Sequence, residues 1–97
     1  MALGFDSELS LLTTAEGGRE TPLVSGYRSI VRLGAEESEP AWGIEITFDA
    51  PAALAPGESA DVHLWSWAWD ESDAAPPVGT RLFLYEGARL VGTGTVH

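Results

Sequence analysis

The stretch Trp42-Gly43-Ile44-Glu45-Ile46-Thr47-Phe48 (WGIEITF, residues 42–48) alternates residue by residue. Trp42, Ile44, Ile46 and Phe48 share one face, while Gly43, Glu45 and Thr47 share the other. A period of two is the signature of a strand with one face on a core and one toward water. Working outward, Tyr27 to Leu33 reads as the strand before it, across an acidic loop from Gly34 to Pro40 that holds Glu36, Glu37 and Glu39. Ala60 to Trp69 reads as the strand after it, beyond a loop from Ala50 to Gly57. Phe5 to Thr13 alternates as a first strand, and Glu16 to Gly26 is a turn-rich connection. Asp70 to Gly79 is acidic, then proline-rich, and reads as a loop. Arg81 to Tyr85 and Leu90 to Val96 close the chain as a hairpin turning at Glu86-Gly87-Ala88. Eleven glycines and six prolines leave no long window for helical periodicity. Six short strands at this spacing predict an all-β fold, a small closed barrel.

The 97 residues carry 5 basic and 15 acidic side chains, for a net charge of −10. This length predicts one domain, residues 1–97, with no second core. A hydrophobic content of 44% supplies a core and argues against wholesale disorder. The charge counts against a general nucleic-acid binder, since phosphate contacts need concentrated positive charge. All five basic residues are arginine, and with no lysine a P-loop cannot form. The absence of cysteine removes disulfides, thiolate nucleophiles and thiolate metal sites, and fits a reducing cytoplasm. No apolar run approaches the roughly 20 residues that span a bilayer, and MALGFDSEL lacks the pattern of a secretory signal. Arginine without lysine, beside abundant alanine and glycine, fits the coding bias of a GC-rich bacterial genome.

Three stretches carry a family resemblance. EGGRETP (Glu16 to Pro22), continuing through Ser25-Gly26-Tyr27-Arg28, resembles the third, C-terminal domain of elongation factor Tu, which shows EGGR, a histidine, TPF, and then GYRPQFYFR. Pro56-Gly57-Glu58 is similar to the family's PGD turn. RLFLYEGARLVGTGTV (Arg81 to Val96) is similar to its LRFAIREGGRTVGAGVV. The order and spacing match, and the three stretches run from Glu16 to Val96. The resemblance implies a six-stranded antiparallel closed β-barrel, and a single barrel without the GTPase domain, hence no nucleotide. Pro56-Gly57 has the chemistry of a type II turn. Gly92 and Gly94 leave room for barrel curvature or a neighbouring side chain.

In the family this domain touches the T stem of aminoacyl-tRNA, the GTPase domain and the nucleotide-exchange factor. Carried over by position, Arg19 matches the arginine of EGGR, and Glu86-Gly87 match a tRNA-contacting pair. Glu20 stands where the family has histidine, and Tyr85 where it has arginine. Ser29, Ile30 and Val31 replace Pro-Gln-Phe. Arg28 and Arg32 match family arginines. A residual tRNA site would therefore comprise Arg19, Arg28, Glu86 and Gly87. The plainer reading has Arg19 and Arg28 pairing with nearby carboxylates to hold the loop.

The strand from Ala60 to Trp69 departs most from the family. Ala60, Val62, Leu64, Ser66 and Ala68 share the core face, leaving Asp61, His63, Trp65, Trp67 and Trp69 on the other. Three tryptophans in a row mark a contact surface unless the acidic loop or the N-terminus covers them. Catalytic constellations are poor. His63 and Asp61 are ordinary neighbours on one strand face, and His97 is expected to fray. Asp70, Glu71 and Asp73 lack the remaining ligands of a calcium loop. The sequence thus predicts a non-enzymatic binding module without metal or cofactor. It would bind a protein partner, such as a translation component reached by mimicry or competition, through Trp65, Trp67, Trp69, Arg19 and Arg28. Residual tRNA binding is the alternative.

Overall fold

The computed structural model describes residues 4–33, 41–49, 52–66 and 76–97. Eight strands form: β1 (Gly4–Leu11), β2 (Leu23–Val24), β3 (Tyr27–Leu33), β4 (Ala41–Thr47), β5 (Ala53–Leu54), β6 (Ser59–Trp65), β7 (Arg81–Glu86) and β8 (Arg89–Val96). Six of them make a closed antiparallel barrel in the order β1-β6-β4-β3-β7-β8, with β8 returning to β1. This is the six-stranded antiparallel barrel expected from the sequence. The remaining pair, β2 and β5, forms a separate two-stranded ladder joining Leu23 to Leu54 and Val24 to Ala53.

Alternation decides which side chains fill the interior. Ile44 and Ile46 of β4 are fully buried, and Trp42 and Phe48 pack against the same core while keeping some exposure. Val62 and Leu64 of β6, Leu82 and Leu84 of β7, and Val31 of β3 complete the inner face with Leu9 and Leu11 of β1. Leu23 and Leu54 face each other across the small ladder and are also fully buried, so that ladder caps one part of the core. Each such side chain contributes about 1.5–3 kcal/mol on burial.

Two local devices shape the barrel. The ladder between β7 and β8 shifts register between Leu84 and Tyr85, leaving Val91 as the extra residue. Both Val91 and Gly92 are buried there, as expected where a bulge breaks the alternation. At Gly94 the strands approach so closely that an added Cβ would lie 2.2 Å from the Glu8 carbonyl oxygen and 3.0 Å from Leu82 Cδ1. The spacing role expected of the β8 glycines is a backbone approach at this position.

Most strand bounds shift by one residue from expectation, and larger differences also occur. The first strand stops at Leu11, because Thr13 begins a single 3₁₀ turn, Thr14–Glu16, and caps it reciprocally with Glu16. The connections read as plain loops contribute β2 and β5. The hairpin strands extend to Glu86 and from Arg89, leaving only Gly87 and Ala88 between them. Pro56-Gly57 behaves as read: Glu58 N donates to the Ala55 carbonyl at 3.0 Å, and Gly57 takes φ +86°, the geometry of a type II turn.

Candidate functional site

Of the resemblance residues, Gly17, Gly18, Arg19, Tyr27, Glu86 and Arg89 come together and hold one another. Arg19 forms an ion pair with Glu86, the last residue of β7. Its Nε donates to the Thr21 carbonyl at 3.1 Å, and Nη2 reaches Thr21 Oγ1 at 3.2 Å and the Pro22 carbonyl at 3.4 Å. The guanidinium also lies 4.8 Å from the centre of the Tyr27 ring. The Tyr27 hydroxyl donates to the same Glu86 oxygen, Oε2. Burial, and then the neighbouring Glu86 carboxylate, push the Tyr27 hydroxyl above the usual phenol range. Arg89, at the start of β8, donates to the Gly17 carbonyl at 2.9 Å and the Gly18 carbonyl at 3.1 Å. The Gly17–Arg19 loop is thus clamped to the β7–β8 turn from both sides.

The other arginines are engaged too. Arg28 pairs with Glu45 directly opposite on β4, at 3.3 Å. Arg32 lies over Tyr85 at 5.7 Å. Arg81 donates to the Gly94 carbonyl at 3.3 Å. Arg19 and Arg28 therefore pair with nearby carboxylates, the plainer of the two sequence readings. Gly87 is exposed in the turn and takes φ +61°. Glu20 is exposed beside the clamp.

Of the aromatic stripe, Trp65 sits on the outer face at the end of β6, opposite Glu45 of β4, and is half-buried. Trp67 and Trp69 lie outside the described residues, as does most of the Asp70–Gly79 loop. The sequence therefore placed Trp65 on the correct face.

A second feature had no counterpart in the sequence reading. Asp6, Ser25, Thr47, Phe48, Asp49, Asp61, Val62, His63 and His97 line an open depression of about 440 Å³ on the outer wall. The β1–β6 register sets Asp6 opposite His63, and Asp6 Oδ1 lies 3.0 Å from His63 Nδ1. Asp61 shares the outer face of β6 with His63, as expected, and its Oδ1 lies 3.5 Å from His97 Nε2. His97 was expected to fray. Its backbone N–H donates to the Asp6 carbonyl at 3.1 Å, which anchors it to β1. Ser25 Oγ accepts from Phe48 N at 3.0 Å and so fixes that corner.

The chemistry open to this groove is limited by its lining. An Asp–His pair can orient an imidazole as a base. Among the described residues, however, no hydroxyl is bonded to either imidazole, and three aspartates repel an anionic substrate. No group of three or more histidine or acidic residues converges as metal ligands among the described residues. No protein-family model matches the chain.

Proposed function

We propose that this barrel is a non-enzymatic binding module of the elongation factor Tu third-domain type, and that its partner is a protein. The observation that carries the reading is that each of the five arginines has a partner within the chain, with Arg19 held deeper than Arg28, which is left 68% exposed at its side chain. RNA recognition asks for basic side chains turned outward to phosphate. Here Arg19 and Arg89 instead bind the barrel's own loop and turn, on a body with net charge −10. The tRNA alternative through Arg19, Arg28, Glu86 and Gly87 would have to break the Arg19–Glu86 pair while placing the Glu86 carboxylate near phosphate. Trp65 adds outward aromatic surface of the kind enriched at protein contacts. The partner suggested by the resemblance is a translation component of the bacterial cytoplasm, met by mimicry or competition.

Filter binding with bulk tRNA tests the choice of partner class. The protein reading expects no retention even at low salt. Retention that falls steeply with added salt would favour the RNA alternative instead.

A further inference from the structure

We propose that the outer face of β3 and β7, centred on Ile30 and Tyr85 and bordered by Arg28, Arg32 and Arg81, is the docking site for a segment of the protein partner in which apolar side chains alternate with carboxylates. The inference rests on the protein-partner reading above and adds the surface and its chemistry. Alternation fixes what this face presents. Val31, Leu82 and Leu84 are fully buried, so Ile30, Arg32, Phe83 and Tyr85, which alternate with them, turn outward. The register sets Ile30 opposite Tyr85, Arg32 opposite Phe83, and Tyr85 opposite Leu90 of β8. Ile30, Tyr85 and Leu90 thus form a row across three strands, with Phe83 in the next row. Ile30 is 40% exposed, and Phe83, Tyr85 and Leu90 are half-buried. A contiguous apolar row on an outer sheet face marks a contact surface, unlike a single exposed side chain.

Charge complementarity selects the occupant. The closed order β1-β6-β4-β3-β7-β8 puts β3 across the barrel from β1, and β7 across from β6. β1 and β6 carry Asp6, Glu8 and Asp61 outward and no arginine. β3, β7 and β8 carry Arg28, Arg32, Arg81 and Arg89, and their one carboxylate, Glu86, is paired with Arg19. The barrel is therefore acidic on one wall and arginine-bearing on the wall across from it. Six strands spaced about 4.8 Å apart close a ring roughly 10 Å across at the backbone, wider than the roughly 8 Å Debye length at physiological salt. A carboxylate arriving at β3 and β7 therefore feels the arginines there more than the aspartates opposite. Arg28 is positioned by Glu45 and stays 68% exposed at its side chain, and Arg32 lies over the Tyr85 ring at 5.7 Å. Both guanidiniums stand beside the apolar row, where their fork of N–H groups suits a carboxylate. An RNA strand would bring one phosphate per nucleotide to a chain of net charge −10, and would leave the aliphatic Ile30 and Leu90 without a matching group.

The probe is the synthetic hexapeptide Glu-Leu-Glu-Leu-Glu-Leu, titrated into the isotope-labelled whole chain at physiological salt and followed by amide NMR shifts. The amides of Ile30, Tyr85 and Leu90 are expected to shift, and those of Asp6, Glu8 and Asp61 to stay. Ile30→Ala is expected to weaken binding severalfold, and Arg28→Gln about two- to fivefold, the scale of one lost exposed charge contact. Val24→Ala, which trims an exposed apolar side chain outside this face, is expected to leave the affinity within about twofold. Lys-Leu-Lys-Leu-Lys-Leu is expected to shift the Asp6, Glu8 and Asp61 amides instead. No binding of the glutamate peptide, or shifts confined to other walls, overturns the assignment. So does a Val24→Ala effect equal to those of Ile30→Ala and Arg28→Gln, or equal shifts of the Ile30 row by both peptides. An octauridylate RNA that shifts that row as strongly as the glutamate peptide overturns it in favour of RNA. The protein-partner reading fails separately, by an RNA adduct or no adduct at position 65 in cross-linking.

Discussion

Arg19 and Glu86 stand 67 residues apart in the chain and form one ion pair that ties the loop after β1 to the end of β7. The Arg19 side chain is only 14% exposed, and Glu86 also accepts from the Tyr27 hydroxyl. The motif that resembles an RNA contact is therefore a clamp within the fold. Arg19→Ala leaves Glu86 without its cation and is expected to lower stability by about 1–3 kcal/mol. Arg19→Lys should recover only part of this, since a point charge cannot reproduce the contacts to Thr21 and Pro22. Urea unfolding of the two variants checks the ranking.

Tyr27 supplies a pH dependence at the alkaline end. Its hydroxyl is raised by burial first and by Glu86 second, so the folded state holds the proton more tightly than the unfolded chain. The associated stability is fully present below the ordinary phenol range and is lost as pH rises through the folded value. Tyr27 should ionise above the ordinary phenol range in an ultraviolet titration. Tyr27→Phe should remove this part of the alkaline loss of stability.

Glu16 acts in the opposite direction. Its carboxylate accepts from Thr13 N and Thr13 Oγ1, both at 2.9 Å, and these bonds hold it below the usual carboxylate range. The contribution is present above the ordinary glutamate value and is lost as pH falls through the lowered one. Thr13→Ala removes the cap and is expected to lower stability slightly at neutral pH. The difference between wild type and Thr13→Ala should narrow in acid unfolding curves.

Gly94 is expected to tolerate no side chain. A Cβ would meet the Glu8 carbonyl, which is backbone and has little room to shift. Gly94→Ala is expected to destabilise by about 1–3 kcal/mol through overpacking at the β1–β8 seam. Gly87→Ala, in an open turn, strains only its own φ. Comparing their thermal midpoints separates a packing clash from local backbone strain.

The barrel was legible wherever burial alternates. Trp42 to Phe48 announced β4, and the outward position of Trp65 followed from the same period. The β2–β5 ladder was not legible, because two residues per strand carry no periodicity and its pairing joins Leu23 to the distant Leu54. Thr13 read as strand because its side chain continues the alternation, whereas its hydroxyl and Glu16 close a cap instead. The groove escaped the sequence for a related reason. Asp6 meets His63 through the β1–β6 register, 57 residues apart, while the nearer Asp61 lies two positions along the same strand. The EGGR motif left carboxylate pairing of Arg19 as one of two alternatives, since the same guanidinium can face phosphate or a carboxylate.

Photocross-linking in host cells tests the central claim, a protein partner, most directly. A benzoylphenylalanine placed at position 65 reports what meets the outer wall beside Glu45. The account predicts a discrete adduct that survives ribonuclease and disappears with protease treatment of the partner. An adduct that ribonuclease removes, or no adduct at all, would contradict it.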